Sequence, residues 1–286
     1  MATMHVISDT QEFREHVDAS RREQPRIAFV PTMGNLHEGH LALIRRGLEL
    51  ASTVVASIFV NPLQFGENED LDAYPRTLEA DLHQLASLGV DCVFTPSVHQ
   101  LYPDGLETHT QVRVPGLTDI LCGRSRPGHF DGVTTVVCKL LNIVRPDVAV
   151  FGNKDLQQQL VVSKMVRDLA LPVIIEGVPT ARAADGLALS SRNGYLSPAA
   201  RQLAPQLYAR LSEVGQAVLA GHRDYSALCD EAIERLDSAG FHCEYFEARR
   251  CSDLKPADSS DPDIAIFAAA QLEGTRLIDN LKVALN

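Results

Sequence analysis

The 286-residue sequence contains no tryptophan and no long uninterrupted run of apolar residues. A membrane-spanning helix needs about 20 consecutive apolar residues, so we expect no segment of this chain to cross a membrane. Residues 1–20 carry Asp9, Glu12, Glu15 and Asp18 and lack the apolar centre of a signal peptide. These absences predict a cytoplasmic protein.

An excess of basic residues is also missing. The chain has 26 Lys and Arg residues against 37 Asp and Glu residues, which gives a formal net charge of −11. Because nucleic-acid binding needs a basic surface, this balance argues against nucleic acid as the main partner. A local basic pocket can still hold a phosphorylated ligand.

The six cysteines form no Cys-x-x-Cys pair, and their spacing fits neither a zinc ribbon nor a compact disulfide scaffold. Most of them lie in apolar segments, as Cys92 and Cys138 do. This usage predicts reduced, buried cysteines of a cytoplasmic protein.

The sequence does contain a regular alternation of strand-like and helix-like segments in its first two thirds. Strands are predicted at 26–30, 53–60, 90–95, 147–151 and 172–178, and helices at 39–51, 77–88, 133–144 and 154–170. This order predicts an α/β fold, with a parallel sheet covered by helices on both faces, over residues 1–180.

The pattern changes after about Pro179. Two helices are predicted, at 198–220 and 224–239, and Ser197-Pro198 has the composition of a helix start. Three strand-like segments follow, at 242–248, 263–269 and 275–278. Residues 181–286 are therefore predicted to form a second, smaller α+β domain, and the chain length also favours about two domains.

The first candidate site is the segment 31–40, which follows a predicted strand, where α/β sheets bind their ligands. His37 and His40 are three residues apart in a His-x-Gly-His motif, so they face the same way in a first helical turn. The N–H groups of a helix start favour an anion, and two imidazoles beside them can hydrogen-bond a triphosphate. Gly34 and Gly39 let the backbone approach a ligand. Metal binding and a structural pair of polar histidines are the alternatives.

The second candidate is the segment 151–158, which places Lys154 at a helix start. A lysine there opposes the helix dipole unless it meets a phosphate. Gly152 and Asp155 could then contact a ribose, and Gln158 a second substrate. A solvated lysine is the alternative interpretation.

The third candidate is the glycine-bounded loop 185–194. Ser190 and Ser191 supply hydroxyl groups and Arg192 supplies a guanidinium, and all three suit phosphate oxygens. An ordinary polar surface loop is the alternative.

Two further polar residues are candidates. Gln64 lies just past a predicted strand and could bind a small polar substrate, although a strand-end turn would also explain it. Asp81 falls between Leu85 and Leu88 on the apolar face of its predicted helix, where a carboxylate needs a partner or a cation. Mg²⁺ bound to phosphates would serve, and a first-turn Asp favoured by the helix dipole is the alternative.

Together these residues resemble the pantoate–β-alanine ligase family. The matching segments run in collinear order over nearly the whole chain, at 31–43, 57–65, 74–77, 128–146, 151–158, 185–196 and 277–280. The His-x-Gly-His motif alone would indicate only the wider nucleotidylyltransferase superfamily, whereas the full set is specific.

The resemblance implies a Rossmann-like domain that binds ATP and pantoate, a small C-terminal domain that closes over the site as a lid, and a homodimer. It also implies an ATP-dependent ligase that condenses (R)-pantoate with β-alanine to give pantothenate. Pantoyl adenylate would be the intermediate, and AMP and pyrophosphate the other products. ATP, with Mg²⁺, would be a substrate.

The resemblance further implies roles for individual residues. Catalytic roles fall to His37, His40, Lys154, Ser190, Ser191 and Arg192. ATP would contact these six and also Met33, Gly34, Asn35, Leu36, Glu38, Gly39, Gly152, Asn153, Asp155, Ala181 and Leu189. Gln64 and Gln158 would bind pantoate, with β-alanine also near Gln64, and Asp81 would be associated with Mg²⁺.

Three positions depart from the family pattern. Ala183 and Asn153 stand where members often have Glu, and Leu189 stands where they often have Met. Altered kinetics are expected at most, because the six catalytic positions remain.

Another adenylyltransferase, a silent nucleotide-binding protein and a purely structural protein are the rival functions. The loop 121–128 is open to interpretation as an anion-sensitive segment or a solvated loop.

Overall fold

A computed structural model describes residues 4–67 and 69–285 of the chain. The chain divides into two compact units. The first unit consists of Met1–Asn153 and Gln157–Pro179, and the second of Lys154–Leu156 and Thr180–Asn286. Among the helices that the structure describes, none is long and apolar enough to cross a membrane.

The first unit contains a six-stranded sheet in which every strand pairing is parallel. Its strands are β1 (His5–Ile7), β2 (Ile27–Thr32), β3 (Thr53–Ile58), β4 (Cys92–Phe94), β5 (Val148–Gly152) and β6 (Ile174–Val178). The helices are α1 (Thr10–Glu23), α2 (Glu38–Leu50), α3 (Leu78–Leu88), α4 (Val98–Leu101), α5 (Cys122–Ser125), α6 (His129–Val144) and α7 (Leu156–Asp168), whose first residue belongs to the second unit. Short 3-10 helices span Pro62–Gln64 and Asn153–Asp155.

The strand order β1-β4-β3-β2-β5-β6 places β2 and β5 side by side. The chain runs from β2 to β3 on one side of this pair and from β5 to β6 on the other. In open parallel sheets, the crevice at the carboxyl ends of two such strands is the usual ligand site. The loops after β2 and β5 are therefore the expected location of a ligand site in the first unit.

The core of the first unit forms around the central strands. Ala28 and Val30 of β2 and Val54 of β3 are fully buried, together with Ile44 of α2 and Leu85 of α3. These strands read as nearly continuous apolar runs because helices cover both faces of a parallel sheet.

The second unit contains an antiparallel sheet of three strands, β7 (His242–Arg250), β8 (Asp263–Leu272) and β9 (Thr275–Ala284), with β8 in the middle. Its helices are α8 (Pro198–Leu203), α9 (Gln206–Leu219) and α10 (Tyr225–Ser238), and a 3-10 helix spans Ser191–Tyr195. Leu211 of α9, Leu236 of α10 and Ile266 of β8 are fully buried in its core.

The predicted Rossmann-like parallel sheet and smaller α+β sheet are confirmed, while several of the predicted elements differ from the structure. The short helices α4 and α5 are not predicted, and β9 runs on to Ala284, beyond the strand predicted at 275–278. Residues 5–23 are not predicted to form elements, yet they form β1 and α1. The apolar signal there is weak, because α1 buries only Phe13 and Val17. The single helix predicted at 198–220 is two helices, and Pro205, which has no N–H group, stands at the break.

All six cysteines lie in the described part of the chain and carry free thiols. Burial raises the pKa of Cys92 and of Cys243 to about 12 and that of Cys229 to about 11. A thiol with so high a pKa forms little thiolate, so these three cysteines are poor nucleophiles. Cys92, Cys122 and Cys229 are buried as predicted, whereas Cys138, Cys243 and Cys251 are partly exposed.

Candidate active site

Two imidazoles cap the N-terminus of α2. Nδ1 of His37, the N-cap residue, accepts a hydrogen bond from the Gly39 backbone N–H at 3.1 Å. Nδ1 of His40 accepts one from the His37 backbone N–H at 3.3 Å. The two rings lie with their centroids 4.2 Å apart. The histidines thus satisfy two backbone donors that a helix start leaves without partners.

These caps determine where each neutral ring carries its proton. A neutral imidazole that accepts at Nδ1 is protonated at Nε2, so His37 and His40 each have an Nε2–H donor on the other side of the ring. Both donors belong to a helix N-terminus, where the helix dipole favours negative charge. The pair is therefore suited to phosphate oxygens.

The loop between β2 and α2 needs a glycine. Gly34 has φ +81°, and a Cβ there would lie 3.0 Å from Oδ2 of Asp81 and 3.1 Å from Cγ2 of Ile58. Asn35, the next residue, is also left-handed, with φ 50°. Thr32 Oγ1 accepts from the Gly34 N–H at 3.2 Å. Gly34 thus allows a tight turn that presents successive backbone N–H groups.

Asp81 lies beneath this turn and is 1% exposed. Its carboxylate accepts from the backbone N–H groups of Asn35 at 2.9 Å and of Leu36 at 2.8 Å, and from the Thr77 hydroxyl at 3.1 Å. The partner that the sequence required for this carboxylate is therefore the loop itself. The role of Asp81 beside Mg²⁺ stays a prediction.

The other residues of the predicted ATP segment lie at the start of α2 or just before it. Glu38 is exposed and forms an ion pair with Arg45 of the same helix. Leu36 is buried and packs in the apolar core, so its side chain serves the fold.

Gln64 ends the 3-10 helix after β3, and both polar atoms of its side-chain amide form hydrogen bonds. Its Nε2 group donates to Sδ of Met33 at 3.2 Å, and its Oε1 accepts from Nδ2 of Asn61 at 3.2 Å. Asn61 is 1% exposed and accepts from the Tyr102 hydroxyl at 3.0 Å. Sequence reasoning singled out Gln64 and assigned no role to Asn61, which lies three residues after the end of β3.

Gly152 ends β5, beside the carboxyl end of β2. A Cβ at this position would meet only Cδ2 of Leu43, at 3.9 Å, so the fold does not require glycine here. A glycine that packing does not need is typical of a backbone that a ligand approaches closely. Asn153 follows in the 3-10 helix, and Gln158 lies partly exposed in the first turn of α7.

Gln157, the neighbour of Gln158, has a structural role. Its Nε2 group donates to the carbonyls of Leu117 at 2.9 Å and of Ile120 at 2.8 Å, and its Oε1 accepts from the Cys122 N–H at 3.1 Å. Gln157 is 5% exposed. It therefore fixes the start of the loop that includes 121–128.

In the second unit, the backbone at Lys154 is held by β9. Nδ2 of Asn280 donates to the Lys154 carbonyl at 2.8 Å. The Lys154 ammonium lies 3.8 Å from a carboxylate oxygen of Asp155, and its side chain is 19% exposed. The long distance between these two groups means that Asp155 compensates the Lys154 ammonium only weakly.

The segment 181–189 is a tight backbone hairpin in the second unit. The Leu189 N–H donates to the Ala181 carbonyl at 2.9 Å. Arg182 forms two hydrogen bonds with Asp279, at 2.5 and 2.9 Å, and its guanidinium lies 3.5 Å from the ring centre of Tyr208. The Asp279 side chain is only 3% exposed. Strand β9 therefore fixes this hairpin as it fixes Lys154.

The hairpin leads directly into the serine–arginine segment. Ser190 is the N-cap of the 3-10 helix and accepts from the Arg192 N–H at 3.3 Å. Ser191 and Arg192 form its first two positions. The Ala183 N–H donates to the Leu187 carbonyl at 2.8 Å, so the hairpin forms with alanine at this position.

Each unit by itself therefore gathers part of the predicted site. The first unit holds the two histidines and Gln64 at the carboxyl ends of its central strands, and Gly152 ends one of these strands. The second unit holds Lys154 and the hairpin with Ser190 against β9. A Rossmann-like sheet in which histidines cap α2, the helix between β2 and β3, defines the class as α/β proteins suited to phosphate-bearing ligands.

Comparison with known proteins identifies the family. A sequence model of the family "Pantoate-beta-alanine ligase" matches residues 5–282. The chain is 54% identical to a pantothenate synthetase of Pseudomonas entomophila, over 99% of this chain and 98% of the relative. It is also 54% identical to that of Hahella chejuensis, over the whole of both chains. The chain belongs to the pantoate–β-alanine ligase family and is an enzyme, a ligase of pantothenate biosynthesis.

Solved structures agree with this assignment. The fold matches a pantothenate synthetase from Thermus thermophilus with a TM-score of 0.88 and 44% identity, covering 97% of this chain and 99% of that one. It matches a pantoate–β-alanine ligase from Francisella tularensis, complexed with β-γ ATP and β-alanine, with a TM-score of 0.83 and 34% identity. That match covers 98% of this chain and 97% of the other.

Proposed function

We propose that the protein condenses (R)-pantoate with β-alanine in two half-reactions at the expense of ATP. The pantoate carboxylate attacks the α-phosphorus of ATP, forming pantoyl adenylate and releasing pyrophosphate. The β-alanine amine then attacks the activated acyl carbon, and AMP leaves as pantothenate forms. The relative that was solved with β-γ ATP and β-alanine supports both substrates.

The observation that carries the proposal is the reciprocal cap of α2 by His37 and His40. Because both Nδ1 atoms accept backbone N–H groups, both Nε2–H groups serve as donors for a triphosphate. Adenylate formation needs fixed donors where charge builds up on the departing pyrophosphate, and it needs no protein nucleophile. The paired imidazoles at a helix N-terminus supply such donors.

The remaining roles follow from the chemistry of each group. Lys154 neutralises charge on the α-phosphate, and Ser190, Ser191 and Arg192 hold the β- and γ-phosphates. Gln64 and Gln158 bind pantoate through its hydroxyl and carboxylate oxygens. Closure of the C-terminal domain as a lid would keep water from the reactive anhydride. The family resemblance supports a homodimer, for which sedimentation equilibrium is the direct test.

Magnesium enters this proposal only with ATP, as part of the substrate. Among the described residues, no group of three or more His, Cys, Asp or Glu side chains is placed to hold a metal ion. Asp81 fits a direct metal contact poorly, because it is buried and both its oxygens already accept hydrogen bonds.

Two variants that keep the helix cap test the proposal. His37→Asn retains an N-cap acceptor, and His40→Gln retains an acceptor that can reach back to the N-cap, but both lack the imidazole Nε2–H group. We expect each to melt like the wild type and to lower kcat for pantothenate formation by about 100-fold or more. Wild-type kcat in a correctly folded His37→Asn variant would contradict the proposal.

A further inference from the structure

The loop 121–128, for which the sequence suggests no clear role, brings Arg126 against the residue proposed to bind pantoate. Nη2 of Arg126 donates to the backbone carbonyl of Gln64 at 3.2 Å. Nδ1 of His129 also lies 2.8 Å from this carbonyl oxygen. Because a carbonyl oxygen only accepts, His129 carries a proton on Nδ1. The Gln64 carbonyl is therefore fixed by two side-chain donors.

Glu69 fixes Arg126 in turn. The Arg126 Nε group donates to one Glu69 oxygen at 2.6 Å, and Nη2 donates to the other. Nη1 lies 3.0 Å from His129 Nε2, which accepts from it when His129 is protonated on Nδ1. The side chains of Arg126 and Glu69 are only 15% and 25% exposed. Burial raises the pKa of the Glu69 carboxyl, but the hydrogen bonds and charge of Arg126 outweigh it and hold this pKa below its usual value.

The same peptide is also held by close packing. A Cβ at Gly132 of α6 would lie 2.3 Å from the Leu63 carbonyl oxygen and 2.8 Å from the Gln64 nitrogen. Asn61 links the two segments, because its Nδ2 donates to the Gly132 carbonyl at 3.1 Å and to Gln64 Oε1 at 3.2 Å. The Gln64 backbone therefore has little freedom to shift without loss of these contacts.

We propose that Arg126, held by Glu69, is a positioning residue that fixes the Gln64 backbone and so aims the Gln64 amide at the acid substrate. The inference rests on the proposed binding of pantoate by Gln64. The guanidinium is occupied by a carboxylate, a carbonyl and an imidazole, so it acts through Gln64 and is not itself the group that binds a substrate anion. A displacement of about 1 Å in a substrate-binding group is enough to reduce catalysis strongly.

Steady-state kinetics of Arg126→Gln and Glu69→Gln test this inference. We expect both variants to raise the KM for pantoate about tenfold or more and to change the KM for ATP less than about twofold, because the histidine cap is untouched. Arg126→Lys keeps the charge but loses the two-pronged contact, so it should fall between Arg126→Gln and the wild type. Arg113→Gln is the matched control, because Arg113 pairs with Asp119 on the surface and its side chain is 61% exposed.

A double-mutant cycle shows whether Arg126 acts through Gln64. In a Gln64→Ala background, Arg126→Gln should raise the KM for pantoate no further. Additive effects, an unchanged KM for pantoate in both single variants, or an effect on β-alanine alone would overturn the inference. If Gln64→Ala itself leaves the KM for pantoate unchanged, the proposed role of Gln64 fails instead. Thermal melts of each variant separate these outcomes from misfolding, and Glu69→Gln serves if Arg126→Gln does not fold.

Discussion

Replacing Asp81 by Asn distinguishes a structural role for this carboxylate from a metal-binding one. The wild-type side chain accepts three hydrogen bonds, from Asn35, Leu36 and Thr77. The amide of Asn keeps one acceptor oxygen and turns an NH₂ group toward the other partners. At least one buried backbone N–H then faces a donor, which costs about 1–3 kcal/mol. For a unit of this size, that loss lowers the thermal midpoint by roughly 2–12 °C.

Thermal unfolding followed by circular dichroism measures this loss directly. The structural role predicts that Asp81→Asn melts lower even without ATP and Mg²⁺. Glu79→Gln, an exposed change in the first turn of the same helix, should leave the melting temperature almost unchanged. If Asp81→Asn melts like the wild type in the absence of nucleotide and is deficient only when Mg²⁺ and ATP are added, the structural reasoning is refuted and the carboxylate is a metal ligand.

Three further predictions concern other parts of the molecule. Burial, and to a smaller extent the neighbouring His5, lower the pKa of His16 below its usual value of 6.5. As the pH falls below 6.5, the unfolded chain therefore binds more protons than the folded chain, and the folded state loses stability in that range. His16→Gln should flatten this acid-side loss in urea melts, and an unchanged profile would contradict it. Gly152→Ala should raise the KM for ATP about tenfold, which is equivalent to about 1.4 kcal/mol, and should leave the melting temperature unchanged. A lower melting temperature would show that the fold needs this glycine. Asp279→Asn deprives Arg182 of a charged acceptor and should destabilise the second unit by about 1.5–3 kcal/mol in urea unfolding, and wild-type stability would exclude that role.

The central fold could be predicted from the sequence because its signals are local. Strands β2, β3 and β5 are short apolar runs, and α2 and α3 carry apolar stripes with helical spacing, so periodicity was sufficient. The first strand and helix gave too little apolar contrast, since only Phe13 and Val17 of α1 are buried. The break in the helix predicted at 198–220 was missed because the apolar pattern continues across Pro205, although this proline marks the break.

The candidate site could be predicted where its chemistry lies in contiguous motifs. The His-x-Gly-His motif and its place at a helix start were visible, and so was the need of Asp81 for a partner. The identity of that partner could not be predicted, because the Asp81 carboxylate binds the backbone N–H groups of Leu36 and Asn35, which lie 45 and 46 residues away in the sequence. The pairing of Arg182 with Asp279, 97 residues apart, likewise depends on the tertiary fold. Such contacts leave no periodic signal in one sequence.

The most direct test of the central claim is the release of pyrophosphate from ATP and Mg²⁺ with pantoate present and β-alanine absent. The adenylate mechanism predicts a pantoate-dependent burst of about one pyrophosphate per active site, which β-alanine converts into continuous turnover. The burst should disappear in His37→Asn while the helix cap and the fold persist. ATP binding without pantoate-dependent release of pyrophosphate would contradict the account and identify a nucleotide-binding protein that does not form the adenylate.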